Sequence, residues 1–270
     1  MLKKISVIVC ALVIGASSMA VAAEAPSTGR TWTYLNFTAL LSPNWAFVVM
    51  PGHRYEYSRK TDGGYADEKD TYFWEFFAGP VYIQKFGDLT LKLPLWYYYM
   101  GFPVKKFGPT GEDEYFYSHN IEFLPILEYK YEKWKFVNRV IFHNKVYAKN
   151  YFYESDSEKK GYSLTLREMV TIEYDILPLL SISIADELFF GLVEDEDTKD
   201  KPYPKGEPFY EVKGFNMNRL YIGLNYKFTP FISLAPQYVY ETIYDPDNDG
   251  KLTNYNHYIY LTLTYVMKMF

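Results

Sequence analysis

Between residues 218 and 241, NRLYIGLNYKFTPFISLAPQYVYE, apolar and polar side chains alternate at every second position, break at Thr229-Pro230, and resume. Leu220, Ile222, Leu224, Tyr226 and Phe228 form one phase; Arg219, Gly223, Asn225 and Lys227 form the other. Beyond the break, Ile232, Leu234, Tyr238 and Tyr240 oppose Ser233, Gln237 and Glu241. A period of two belongs to a β-strand with unlike faces, not to a helix. The same rhythm predicts eleven strand segments, at roughly 31–41, 44–58, 71–86, 89–101, 114–130, 134–149, 162–174, 179–192, 215–228, 231–244 and 255–270.

Their connections sort by length. SPN, Gly87-Asp88, YEK, DILP and TP are short, whereas RKTDGGYADEKD, PVKKFGPTGEDE, YESDSEKKG, EDEDTKDKPYPKGEPFYEVK and DPDNDGKLTN are long and charged. Strict alternation of the two kinds marks a transmembrane barrel, with short periplasmic turns and long extracellular loops. A soluble periplasmic β-sandwich, the other all-β reading, has no reason to sort them. The predicted fold is all-β: a single antiparallel up-and-down transmembrane β-barrel of 10–12 strands. Eleven segments conflict with the even counts of single-chain bacterial barrels. A hidden strand, a broken first segment or an N-terminus threading the lumen is therefore expected.

Composition adds compartment. The chain opens MLKKISVIVCALVIGASSMAVAAEAP: Lys3 and Lys4, an apolar run, then small residues to Ala23. That order predicts a secretory signal peptide over 1–23, removed after Ala23, with the barrel in 24–270. Cys10 leaves with it, so no disulfide is expected, as suits an envelope protein exported without disulfide staples. Removal takes the net charge from −5 to −7, and an acidic chain argues against a nucleic-acid partner. Aromatics make up 20% of the residues, with 29 Tyr and 20 Phe, an excess typical of membrane–water interfaces. The predicted location is the bacterial outer membrane, reached through the general secretory pathway.

With the apolar phase turned to lipid, the other phase lines the lumen: Arg54, Glu56, Glu75, Lys92, Glu122, Glu128, Arg139, His143, Arg167, Glu173, Glu187, Arg219, Lys227 and Glu241. A charge facing mid-bilayer costs about 2–4 kcal/mol, which drives these side chains inward. Arg219 and Glu187 stand at similar distances from the loop joining their segments, so they should meet across the hairpin. Arg167 and Glu241 reach the same level, which predicts a lumenal cluster Arg167, Glu187, Arg219 and Glu241. It either braces a filled barrel or lines a path. Asp186 and Glu168 fall in the lipid phase, where a bulge or a position above the membrane would be needed to accommodate them.

LREMVTIEYDILPLLSISIADELFFGL and FNMNRLYIGLNYKFTPFISLAPQYVYE resemble an uncharacterised domain-of-unknown-function (DUF) family of bacterial outer-membrane β-barrels. The likeness rests on Arg167, DELFF at 186–190, NRLYIGL at 218–224 and the F-x-P turn, and covers 162–241; earlier, Trp45 and Arg54 share in it. It implies fold and location but no activity. The long acidic 193–213 loop and the out-of-phase C-terminal Phe270 depart from it.

No catalytic residue is predicted. Ser118 and His119 are adjacent, so a strand points them to opposite faces. His53, His143 and His257 have no evident Ser beside them, and no nucleophile or phosphate-loop signature occurs. DPDNDGKLTNYN matches the first half of a calcium loop at Asp245, Asp247, Asp249 and Gly250, with Asn256 where the bidentate Glu belongs. A weak Ca²⁺ site in 245–256 is the one cofactor candidate, against a plain hairpin turn. The expected function is a non-enzymatic small passive channel or envelope scaffold, the alternative a lipid-modifying enzyme with rim residues. Expected partners are outer-membrane lipids, lipopolysaccharide, the barrel-assembly machinery and, with an open lumen, a small solute.

Overall fold

The computed structural model describes residues 27–61, 64–66, 70–105, 114–149, 162–194, 213–245 and 250–270. The expected signal peptide and most of each long connection lie outside these residues. Thirteen strands follow in order: β1 (Ser27–Leu40), β2 (Trp45–Thr61), β3 (Gly64–Ala66), β4 (Asp70–Phe86), β5 (Leu89–Lys105), β6 (Glu114–Phe123), β7 (Ile126–Tyr131), β8 (Trp134–Lys149), β9 (Ser163–Leu177), β10 (Leu180–Val193), β11 (Gly214–Lys227), β12 (Ile232–Asp245) and β13 (Lys251–Lys268). β3 pairs only with the end of β2. The predicted fifth segment is β6 and β7, parted at Leu124-Pro125, where proline has no N–H for the ladder. Leu124 N–H donates to the Pro94 carbonyl and Val140 N–H to the Pro125 carbonyl, both at 3.0 Å, so the wall continues across the gap.

The wall therefore has eleven strands and closes on itself. Neighbours are antiparallel except at one seam, where β1 runs parallel to β13 from Ser27↔Tyr255 to Leu40↔Lys268. The other edge of β1 takes β2. Eleven alternating strands leave the first and last pointing the same way, so closure requires a parallel pair. The expected all-β closed barrel of 10–12 strands is found, with eleven strands in the wall, and only the β1–β13 seam departs from antiparallel pairing. Among the described residues none of the three devices occurs: β1 is an unbroken wall strand, and the count is odd.

Local chemistry makes the short turns. Gly87 has φ 61°, in the left-handed region that glycine enters without strain. In the β11–β12 turn the Thr229 hydroxyl accepts the N–H groups of Phe231 (3.1 Å) and Ile232 (3.0 Å), and Ser42 accepts that of Trp45 (3.1 Å) before β2. Inside the wall, a Cβ on Gly52 would lie 2.2 Å from the Tyr34 ring. Gly52→Val is expected to push that ring aside and break the 2.6 Å bond from the Tyr34 hydroxyl to Glu75. A hydrogen bond to a charged group is worth ~1.5–3 kcal/mol, so a loss of that order should appear in urea unfolding from lipid vesicles.

Outside, the wall is apolar. Leu35, Leu95, Val170, Ile222 and Ile259 are 47–51% exposed, far more contiguous grease than water tolerates. Aromatics gather toward both ends of this band. Trp45–Tyr82, Trp134–Tyr174 and Tyr226–Phe228 pack at 4.6–5.2 Å near the short turns. His53–Trp74 lies toward the long connections, with hydrogen-bonded Tyr97–His119 and Tyr238–His257. Ile232 to Tyr240 on β12 is eight steps, or ~20 Å along the barrel axis at ~3.3 Å rise and ~40° tilt, close to a ~25 Å membrane band.

Asp186 and Glu168 do face outward, with no register shift beside either. Each carboxylate is accommodated by an amide on the next strand instead: Asn218 Nδ2 donates to Asp186 at 2.5 Å and Asn138 Nδ2 to Glu168 at 3.1 Å. A second correction concerns the aromatics. Trp32, Tyr34, Phe77, Tyr98, Tyr221 and Tyr258 are buried inside the barrel, not spread over the lipid face.

Candidate functional site

Period two places Arg30, Trp32 and Tyr34 of β1 on the lumenal face, and Arg54 and Glu56 of β2 with them. Arg30 Nε reaches Glu56 at 2.8 Å, and Arg59 holds the other oxygen at 2.6 Å. Arg54 Nε donates to Glu75 at 2.7 Å, whose second oxygen accepts the hydroxyls of Tyr34 (2.6 Å) and Tyr98 (2.8 Å). The Arg54 guanidinium lies 3.5 Å from the Trp32 ring centroid, a cation–π contact in a dry site.

The structure brings Arg167, Glu187, Arg219 and Glu241 together. Register sets Glu187 opposite Arg219 and Arg219 opposite Glu241. One Glu187 oxygen takes Arg167 Nη2 at 2.8 Å and Arg139 Nη2 at 3.3 Å; the other takes the Tyr221 hydroxyl at 2.6 Å and lies 3.8 Å from Arg219. Arg219 Nε donates to Glu241, which also accepts Asn256 Nδ2 (2.6 Å) and the Tyr258 hydroxyl (2.9 Å). Glu122 joins through His143 Nδ1 at 2.8 Å and Arg167 Nη1 at 3.5 Å. Phe189 sits between two guanidinium groups, 4.7 Å from both Arg167 and Arg219.

Burying such charges is costly unless each finds an opposite charge and its remaining lone pairs are bonded. Both conditions hold here, and the tyrosines complete the second. They are the functional residues missed from the sequence. Their signal was phase: Tyr221 stands two residues from Arg219, and Tyr258 two from Asn256, on the charged face.

The lumen is not uniform along its length. Near the short turns, Lys92–Glu128 (2.5 Å) and Lys135–Glu173 (2.6 Å) keep side-chain exposures of 12–32%. Arg139, farther in, is 31% exposed, whereas the side chains of Arg219, Glu187 and Glu241 are 0–2% exposed. Exposure of the lumenal charges thus falls from the short-turn rim to the ion-pair layer. Beneath that layer lies a cavity of about 290 Å³, with Arg54, Glu75, Glu122, Arg167 and Arg219 above and Met50, Trp96, Met169, Gln237, Tyr260 and Thr262 around it.

The other candidates fall out differently. Asp247 and Asp249 lie outside the described residues. Asn256, the twelfth position of the calcium loop, is fully buried in the lumen, where it donates to Glu241 and accepts from Thr28. Among the described residues no group of three metal-ligating side chains occurs. Ser118 and His119 do point oppositely: Ser118 accepts a bond from Asn120 inside, and His119 meets Tyr97 outside.

No curated protein sequence matches the chain. Among solved structures it is similar to the NanC porin in its rhombohedral crystal form, at 13% identity over 79% of this chain and 86% of that one, with a TM-score of 0.41. Residues 29–251 match the family described as "Protein of unknown function (DUF2490)", and the chain belongs to that family.

Proposed function

We propose that this chain is a non-enzymatic integral barrel of the bacterial outer membrane, channel-type in build, whose lumen is closed to free diffusion at the ion-pair layer. One observation carries the reading: the wall segregates exposed aliphatic and aromatic side chains outside from paired charges inside. A closed barrel leaves no strand edge for hydrocarbon to meet, which is what a lipid-spanning sheet needs. Its short turns face the periplasm, as in other outer-membrane barrels. The lumen is then a vestibule that admits small solutes from that side. Lipids and lipopolysaccharide contact the outer band, and assembly machinery inserts the barrel during biogenesis.

The described contacts of the histidines are His53 with Thr71, His119 with Tyr97, His143 with Glu122 and His257 with Tyr238.

Planar-bilayer recording tests closure. The wild-type protein is expected to show no steady ohmic conductance. Arg219→Ala combined with Glu241→Ala, which removes the pair together and leaves no lone charge from it, should create one. Steady wild-type conductance would overturn the closed lumen.

A further inference from the structure

The cavity beneath the ion-pair layer carries one more observation. Three of its buried N–H donors have no acceptor among the described residues: Trp32 Nε1, Trp96 Nε1 and Arg139 Nε. All three belong to side chains that line this cavity. Buried donors normally have partners, and each one left without a partner is a cost that a ligand acceptor removes. The lining carboxylates have no such need. Glu75 is engaged by Arg54, Tyr34 and Tyr98, and Glu122 by His143 and Arg167.

We propose that the cavity binds small organic monocarboxylates with an apolar body. The inference rests on the closed, short-turn-facing lumen argued above and names the class of solute it takes. An ionised carboxylate only accepts hydrogen bonds, which complements a set of spare donors; a sugar or an amine brings donors of its own. The four guanidinium groups of the lining, Arg54, Arg139, Arg167 and Arg219, are matched by Glu75, Glu122, Glu187 and Glu241, so the preference for an acceptor-only ligand rests on the spare N–H donors and not on net charge. Arg139 receives it. Its side chain is the most exposed of the three arginines around Glu187; its Nη2 lies 2.8 Å from Met169 Sδ and a longer 3.3 Å from Glu187, and its Nε is left to donate. The aromatic and thioether walls, Trp96, Tyr260, Met50 and Met169, take the apolar body. At about 290 Å³ the space is at the lower edge of the ~300–1,000 Å³ typical of ligand sites, which restricts it to small molecules.

Cyclohexanecarboxylate is the probe, with cyclohexylmethanol and cyclohexylmethylamine as neutral and cationic counterparts. Calorimetric titration uses the full chain in zwitterionic micelles. Trp45, Trp74 and Trp134 are exposed on the outer wall, so replacing them with Phe leaves Trp32 and Trp96 as fluorescent reporters of the cavity. The carboxylate is expected to bind at least tenfold more tightly than the alcohol, to change the fluorescence of the two reporters, and to outcompete the amine. Arg139→Gln should weaken it tenfold or more, Arg139→Lys should recover part of that loss, and Trp32→Phe and Trp96→Phe should each weaken it severalfold. Heat-modifiable gel mobility checks that each variant remains a barrel. Equal binding of carboxylate and alcohol, or unchanged affinity in Arg139→Gln, overturns the proposal. Wild-type conductance in the bilayer recording would overturn the closed lumen instead, whatever the titration gives.

Discussion

Glu187→Ala is expected to destabilise the barrel by about 3–5 kcal/mol, the usual penalty for removing one partner of a buried ion pair. Glu187 has no exposed side-chain surface and accepts from Arg167, Arg139 and Tyr221, with Arg219 3.8 Å away. Its loss strands positive charge in a region that water does not reach. Glu173→Ala is the comparison. That carboxylate faces Lys135, which is 28% exposed, so water replaces much of what is lost and the effect should be ~1 kcal/mol or less. Reversible urea unfolding from lipid vesicles measures both. Should the two variants lose equal stability, the layer does not brace the wall.

An all-or-none result is expected at the seam. Leu35 on β1 lies opposite Leu263 on β13, and both side chains face outward at 47% and 40% exposure. Paired residues on adjacent strands stand ~5 Å apart, within the ~4.4–6.8 Å that a disulfide spans. In a Cys10→Ser background, Leu35→Cys with Leu263→Cys should cross-link nearly completely on mild oxidation and shift the unfolded chain on a gel. Leu35→Cys with Thr264→Cys should not, because residue 264 points to the opposite face. Cross-linking in the second pair, or in neither, would rule out the parallel register.

The strand faces were open to sequence reasoning residue by residue. Arg54, Glu56, Lys92, Glu122, Arg139 and His143 all lie on the predicted inner face, because Cβ direction alternates along any strand whatever its partners. The pairing of Glu187 with Arg219 followed from counting along one hairpin. Alternation puts Asp186 and Glu168 on the outer face, but it does not give their amide partners Asn218 and Asn138. Those contacts depend on register between strands, which a single strand does not encode. The inward aromatics are not legible in the sequence for a related reason. A tyrosine suits the lipid interface and the lumen alike, and only a carboxylate on another strand, as Glu75 is for Tyr34 and Tyr98, decides between them.

From the order of its residues alone this chain determines where strands lie, which side of each is greasy, and which rim carries the short turns. All three follow from local geometry, since backbone pleat and turn chemistry act within a few residues. Closure decided the rest. That Thr28 at one end of the wall meets Asn256 near the other, that the final pair runs parallel, and that a cavity remains beneath a buried layer of ion pairs are consequences of bending eleven strands into a ring. Contacts between residues 228 positions apart exist only once the ring is made.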